Sequence, residues 1–247
     1  MMKKKVNIMK DMTKDEFIQA LREFPVILLP LGAREQHGHH LPLGTDIYLT
    51  EYLSTKVAEE TGALVAPAMP FGYSWVWRDT PGTITLQQHL MEEIIKDVAK
   101  SVVRYGTKLL VLINGHDANN ASMKYAIREL ADETKLTVLS LFYPKLSDAL
   151  NAYCESKTWN GMIHACEFET SLMLKANPEL VQMDKAVKEY PPIPPLYNKS
   201  SLSLGSLSES GVFGDATAAN EQKGNHLFQH FINEIVSIIQ YTYDSLA

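Results

Sequence analysis

Cysteine, excess basic charge and long apolar runs are all scarce in this chain, and each shortage removes a class of protein. Two cysteines, Cys154 and Cys166, in 247 residues cannot build a disulfide framework, and a reducing cytoplasm is the simplest home for such a chain. A net charge of −6 offers no basic stripe for nucleic acid. No apolar run approaches the ~20 residues that span a bilayer, so no membrane partner is expected. The start Met1-Met2-Lys3-Lys4-Lys5 is not followed by the apolar segment of a signal peptide. Several motifs are missing too: G-x-G-x-x-G after a strand, G-x-x-x-x-G-K-[ST], H-E-x-x-H, G-x-S-x-G and C-x-x-C. Dinucleotide binding, P-loop chemistry and serine-hydrolase chemistry thereby lose their usual markers. What is present is ordinary for a globular protein, with 45% apolar and 21% charged residues, and the length suits one domain over 1–247.

Strand and helix signals alternate along the chain. Thr13-Lys14-Asp15-Glu16 reads as a capping box and predicts a helix to about Glu23, closed by Phe24-Pro25. The run VILLPL at 26–31 predicts a strand buried on both faces. Thr45 or Asp46 can cap a helix reaching about Glu60, and a short strand is expected at 63–67. Further helices are expected at about 86–105, 119–133 and 217–241, and further strands at 108–113 and 136–141. The Pro- and Ser-rich stretch 190–209 reads as an excursion. Strands alternating with helices imply parallel βαβ units, hence an α/β three-layer sandwich around a mostly parallel central sheet.

Ligands in open α/β folds bind at the carboxyl ends of the strands. Three chemistry-bearing stretches fall in that zone. EQHGHHLPLGTD, residues 35–46, holds three histidines, Glu35 and Asp46 within twelve residues. His116 and Asp117 follow the strand at 108–113, and His164, Glu167 and Glu169 lie at the entry to a helix in IHACEFETSLML. Imidazoles with several carboxylates suit Zn²⁺, Mn²⁺ or Fe²⁺. Glu35 and His37, two apart on extended backbone, can point the same way. Asp46 can reach back across the loop and, having two oxygens, can bridge two metals ~3.5–4 Å apart. Plainer readings stay open for each. Asp46 can be a helix cap, Asn114-Gly115-His116 a turn, and Glu167 and Glu169 first-turn carboxylates favouring the helix dipole. Cys166 reads as a small core residue, and Tyr73, Trp75 and Trp77 as packing or as substrate contacts.

Taken together, four stretches resemble the creatininase (creatinine amidohydrolase) family. LPLGAREQHGHHLPLGTD is similar to its first metal motif, NGHDANN to its second and HACEFETSLMLKANPELV to its third. GVFGDATAANEQKG is similar to a C-terminal stretch of many members, and the resemblance runs from about residue 11 to 235. It implies a hydrolase with two divalent metal ions (Zn, Mn or Fe) per chain and a metal-bridging hydroxide as nucleophile. It also implies a homohexamer and a small-molecule substrate. By position, Glu35 and His116 would hold one metal, His37 the other, and Asp46 would bridge them. His39 and His40 are left as supports. Creatininase takes a further ligand from a glutamate two residues after the NGH histidine, where this chain has Ala118. Other members carry a glutamate in the third motif, where Glu167 stands, so Glu167 is the expected replacement. His164 matches the catalytic histidine, and Glu169 is expected to support the ligands from behind or to cap the helix.

The substrate side departs from creatininase. Phe142 stands where that enzyme has a tryptophan, Trp159 lies one place from another, and Asp117 replaces a tyrosine. Trp75, Trp77, Arg78 and Asp117 are the candidate substrate contacts. The resemblance therefore implies hydrolysis of a small cyclic amide or other C–N bond, with creatinine itself disfavoured. Two alternatives remain: opening of a cyclic keto-inositol or keto-sugar ring at a C–C bond, and a catalytically silent metal-binding or maturation protein.

Overall fold

The computed structural model describes residues 6–246, so the lysine-rich start at 1–5 lies outside the described residues. Five strands form one sheet: β1 (Asn7–Ile8), β2 (Val26–Leu31), β3 (Leu64–Val65), β4 (Leu109–Asn114) and β5 (Thr137–Phe142). Their order is β1-β3-β2-β4-β5 and every pairing is parallel. Between them run α1 (Lys14–Glu23), α2 (Thr45–Thr61), α3 (Gln88–Val103) and α4 (Asn119–Glu133). Beyond the sheet come α5 (Leu146–Tyr153), α6 (Glu167–Ala176), the antiparallel pair β6 (Lys188–Glu189) and β7 (Gly214–Asp215), and α7 (Glu221–Asp244). No helix among the described residues is long and apolar enough to cross a membrane.

Alternation along the central strands explains the layers. Successive side chains of a strand leave on opposite faces, and β2 and β4 are buried along their whole length. Leu28, Val111 and Ile113 pack with Leu49 and Leu53 of α2, Phe168 and Leu172 of α6 and Phe231 of α7. Ile27, Leu29, Leu110 and Leu112 pack on the other face with Leu21 of α1, Met91 and Ile95 of α3 and Met123 of α4. Each such side chain contributes about 1.5–3 kcal/mol by leaving water. The sheet thus has a helical layer on both faces, as the apolar runs require.

Local signals behave as expected where they are strong. The Thr13 hydroxyl accepts the Glu16 N–H, and the Glu16 carboxylate accepts the Thr13 N–H at 2.7 Å. The last helix differs from its expected start at 217. Residues 216–218 form a single 3₁₀ turn capped by Asp215, the backbone then extends, and Asn220 caps α7 by accepting the Lys223 N–H at 2.9 Å. An asparagine cap with a side-chain acceptor outweighs the helix propensity of the alanines before it.

Candidate metal centre

β2 and β4 are neighbours in the sheet, with Leu31 opposite Asn114 at their carboxyl ends. The loops leaving those ends therefore emerge side by side. Glu35 and His37 follow β2, Asp46 sits in the first turn of α2, and His116 follows β4. His164 precedes α6, and Glu169 lies in its first turn. All six are buried, none more than 7% exposed. Their potential ligand atoms form three overlapping groups, each within 4.8 Å: Glu35, Asp46 and His116; His37, Asp46 and Glu169; and Glu35, His37 and His164.

Asp46 faces both histidines at once. Its Oδ1 lies 3.2 Å from His37 Nε2 and its Oδ2 3.2 Å from His116 Nδ1. Glu35 Oε1 stands 3.4 Å from His116 Nδ1, and Glu169 Oε2 stands 3.8 Å from His37 Nε2. The far side of each ring settles its tautomer. His116 Nε2 donates to the Tyr73 carbonyl at 3.0 Å, and His37 Nδ1 donates to the Glu35 carbonyl at 3.2 Å. Each ring then turns its remaining nitrogen toward the carboxylates, the usual support behind a metal-ligating histidine. Glu35 Oε2, His37 Nε2 and Asp46 Oδ2 are buried without a hydrogen-bond partner. Leaving such atoms unsatisfied costs about 1–3 kcal/mol each. A divalent cation among imidazole nitrogens and carboxylate oxygens answers that cost, and the donor set suits zinc or manganese. The residues present fit a metal.

Protons occupy the cluster when it holds no cation. Burial works against a charge on His37, yet Asp46 and Glu169 more than offset it and hold its pKa well above the ordinary value. Burial likewise opposes charge on His116, but Glu35 and Asp46 push it up to about 9. Burial raises Glu35 to about 7 against the pull of His116. Burial also opposes the Asp46 carboxylate, but His37 and His116 drive its pKa far below the usual range. His164 goes the other way: burial, then the charge on His37, holds it well below the ordinary histidine value. It stays neutral. Its ring stacks on Trp77 with centroids 4.3 Å apart and planes at 20°, and its Nδ1 lies 3.6 Å from Glu35 Oε1.

Glu167 is not part of this cluster, which corrects the expectation that it replaces the ligand missing at Ala118. Its carboxylate takes the Lys223 ammonium at 2.5 Å, the Ser156 N–H at 2.6 Å and the Glu155 N–H at 3.0 Å. Two residues on a helix stand about 200° apart around its axis, so Glu167 and Glu169 cannot face the same way. Glu169 is the one turned inward, and its Oε2 also accepts the Ala165 N–H at 2.5 Å. His40 is a support: fully buried, it meets Thr170 Oγ1 of α6 at 2.8 Å. His39 is exposed.

A cavity of about 450 Å³ opens onto the cluster, lined by Glu35, His116, His164 and Glu169 together with Trp77, Asp117, Ala118 and Phe142. Of the four candidate substrate contacts, Trp77 and Asp117 reach it. Trp75 and Arg78 do not line it; they stack on each other at 3.8 Å, and the Arg78 guanidinium donates to the Trp75 carbonyl. Trp159 also stays out, its Nε1 donating to the Pro191 carbonyl at 2.6 Å. Asn160, Met162, Tyr197 and Asn198 also line the cavity. Those residues sit in irregular loops, where no periodicity pointed to them. For Gln36 the one signal in the sequence is its place between Glu35 and His37.

A parallel α/β sheet carrying a buried imidazole–carboxylate cluster at the carboxyl ends of its central strands defines a metal-binding protein with the donor set of a hydrolytic centre. The chain belongs to the creatininase family, whose model, described as creatinine amidohydrolase, matches residues 10–239. It is 31% identical to the creatinine amidohydrolase of Pseudomonas putida over 230 residues, 87% of this chain and 88% of that one. It is 30% identical to the mycofactocin precursor peptide peptidase of Mycobacterium ulcerans, covering 87% of this chain and 85% of that one. A 3-dehydro-scyllo-inosose hydrolase of Thermotoga maritima is 27% identical, over 81% of this chain and 63% of that one. Among solved structures, a crystal structure of creatinine amidohydrolase superposes with a TM-score of 0.85 at 28% identity, covering 96% of this chain and 98% of that one. Similar creatininase structures include a manganese form (TM-score 0.83, 28% identity, 96% and 99% covered) and a mutant of zinc–zinc type (TM-score 0.85, 29% identity, 96% and 98% covered). The chain is a creatininase-family hydrolase.

Proposed function

We propose that this hydrolase is binuclear and cleaves a small cyclic amide or another small C–N bond. One observation carries the reading: the two oxygens of Asp46 each lie 3.2 Å from a different histidine nitrogen. Glu35, Asp46 and His116 would hold one divalent ion, and His37, Asp46 and Glu169 the other. Zinc, manganese and iron all accept these donors. Such a pair, when bound, supplies a polarised carbonyl and a water of lowered pKa.

The chain's own residues do the rest. Trp77 and Phe142 wall the cavity and help keep water from a bound ring. Neutral His164 stands beside the cluster, where its ring N–H can hydrogen-bond the substrate oxygen that gains charge. The cavity volume of about 450 Å³ suits a single small ring. With Phe142 at one wall and Trp159 turned away, creatinine is not the favoured ring. Asp117, Asn160 and Asn198 at the cavity favour a second reading, a hydroxyl-rich ring such as a keto-inositol or keto-sugar opened at a C–C bond. The reading is completed by one domain over the whole chain, a homohexamer supported by the family resemblance, and a reducing cytoplasm supported by two unbonded cysteines.

The test is a substrate screen on protein reconstituted with zinc or manganese. Lactams, formamides and cyclic ketoses are incubated with it and with the chelated protein. Metal-dependent turnover of a lactam or formamide is expected. Turnover of ketoses alone would favour ring opening, and no turnover by fully loaded protein would favour a silent metal-binding role.

A further inference from the structure

We propose that Gln36 fixes the tautomer of His164, so that this histidine presents Nδ1–H to the cavity as a donor and holds no metal itself. The proposal deepens the hydrolytic reading and rests on it for its catalytic meaning, though not for its geometry. Gln36 lies between Glu35 and His37, and the alternation that aims those two at the cluster sends Gln36 elsewhere. Its amide is buried, 7% exposed, and reaches the segments carrying His164 and Gly211.

Three contacts determine the amide's orientation. Its Oε1 accepts the Gly38 N–H at 2.9 Å, its Nε2 donates to the Gly211 carbonyl at 3.0 Å, and Nε2 lies 2.7 Å from His164 Nε2. A backbone N–H only donates and a carbonyl only accepts. Flipping the amide would set oxygen against the Gly211 oxygen and NH₂ against the Gly38 N–H, so both backbone groups reject the flip. The NH₂ has two hydrogens. One goes to Gly211, and the other points at His164 Nε2, which must therefore be the unprotonated nitrogen. A neutral imidazole carries one proton, so the proton is on Nδ1.

The consequence reaches the metal centre. Of the three groups, each holding two of Glu35, His37 and Asp46, one would use His164 as a ligand. A protonated Nδ1 has no lone pair for an ion, and Nε2 is engaged by Gln36. His164 is left as a donor beside the cluster, 3.6 Å from Glu35 Oε1, with its ring plane held by Trp77. The surroundings of the amide are built for this contact. Gly38 and Gly211 both adopt left-handed backbone, with φ of 69° and 80°, and a Cβ at Gly211 would collide with the Gln36 amide. Gln36 is a positioning residue: it acts through His164 and does not itself reach the cavity.

The experiment reads the proton directly. Zinc-loaded protein with ¹⁵N-labelled histidine rings is examined by NMR, and the His164 signals are assigned by their loss in His164→Gln. The wild type should show Nδ1 protonated and Nε2 bare, with no zinc-induced shift of a ligating nitrogen. In Gln36→Glu the carboxylate can only accept, and the proton should move to Nε2. A wild-type proton on Nε2, or a His164 nitrogen bound to zinc, would overturn the proposal; so would a tautomer indifferent to Gln36→Glu. Should that variant not fold, Gln36→Met removes the donor at similar volume and should leave a mixture of tautomers. None of these readouts needs turnover, so failure of every substrate would sink the hydrolytic reading and leave this one standing. Once a substrate is known, Gln36→Met should lower kcat roughly 10- to 100-fold with KM near wild type.

Discussion

Glu169 Oε2 lies 3.8 Å from His37 Nε2, while Glu167, two residues earlier on the same helix, gives its carboxylate to Lys223 at 2.5 Å. One helix turn thus sends one acid to the metal cluster and the other to a clamp. The clamp joins α7 to the residues after α5, because Glu167 also accepts the N–H groups of Glu155 and Ser156. Those residues open the loop that leads to His164.

Metal content should separate the two acids. Wild-type protein reconstituted with zinc should carry about two ions per chain. Glu169→Gln should bring that to about one, because one of two sites loses a charged donor. Glu167→Gln should leave the count unchanged. Elemental analysis after gel filtration checks both, and the reverse pattern would restore Glu167 as the ligand.

Stability should respond in the opposite order. Glu167→Ala leaves two backbone N–H groups without their acceptor and takes one partner from Lys223, which keeps the Ala218 carbonyl and Glu155, at a cost of about 1–3 kcal/mol per unpaired donor. Lys223→Met should cost less, since the carboxylate keeps its backbone donors. Urea denaturation of the metal-free proteins measures both, and a double mutant less destabilised than the sum would report the coupling.

The metal-free protein should weaken as pH rises. His116 has a folded pKa of about 9 against an ordinary 6.5, so its contribution is fully present below pH 6.5 and is lost as pH climbs through about 9. Glu35, raised to about 7 from 4.5, acts in the same direction at lower pH, being fully favourable below 4.5 and lost through about 7. Asp46 is depressed, so its contribution is present above its ordinary 3.8 and does not change in this window. His164 and His40, both held below the ordinary histidine value, work the other way up to about pH 6.5, so the urea midpoint of chelated protein should fall between about pH 7 and pH 9. Zinc affinity should rise over the same range, because the ion displaces these protons. A flat midpoint would contradict the proton-filled cluster.

Trp77 and Trp75 should differ sharply although two residues separate them. Trp77 is 2% exposed and packs on His164 and Phe213, so Trp77→Ala should cost about 3–5 kcal/mol and slow turnover of whatever substrate the screen finds. Trp75 pairs with Arg78 outside the cavity wall, and Trp75→Ala should cost at most about 1 kcal/mol with little change in rate. Equal losses of activity would return Trp75 to the substrate side.

The apolar runs of β2 and β4 and the capping box of α1 were legible because each carries its signal in consecutive residues. Glu35, His37, Asp46, His116 and His164 were legible through their motifs, and the fold brings all five together. That Glu169 and not Glu167 lies beside His37 was not legible, for a physical reason: linear spacing gives the angle between two helix residues but not which way the helix is turned. That rotation is set by the apolar face of α6, where Phe168 and Leu172 pack against the sheet, and it leaves residue 169 on the side of the cluster. The stacking of Trp75 with Arg78 and the walls at 160–163 and 197–204 depend on loops folding back over the sheet, and no local pattern encodes such a return.

The cavity is built from two populations of residues with different obligations. Glu35, His116 and Glu169 belong to the cluster, whereas Met162, Tyr197, Asn198 and Leu204 lie outside its ligand groups, on loops and one short 3₁₀ turn. Change in the second group alters the shape of the cavity without touching a residue of the cluster. A scaffold divided this way can exchange its clientele while keeping its reagent. The names of its relatives, one acting on creatinine, one on a precursor peptide and one on an inosose, are what such a division would produce. In this chain, swapping the 197–204 wall is the economical route to a new specificity.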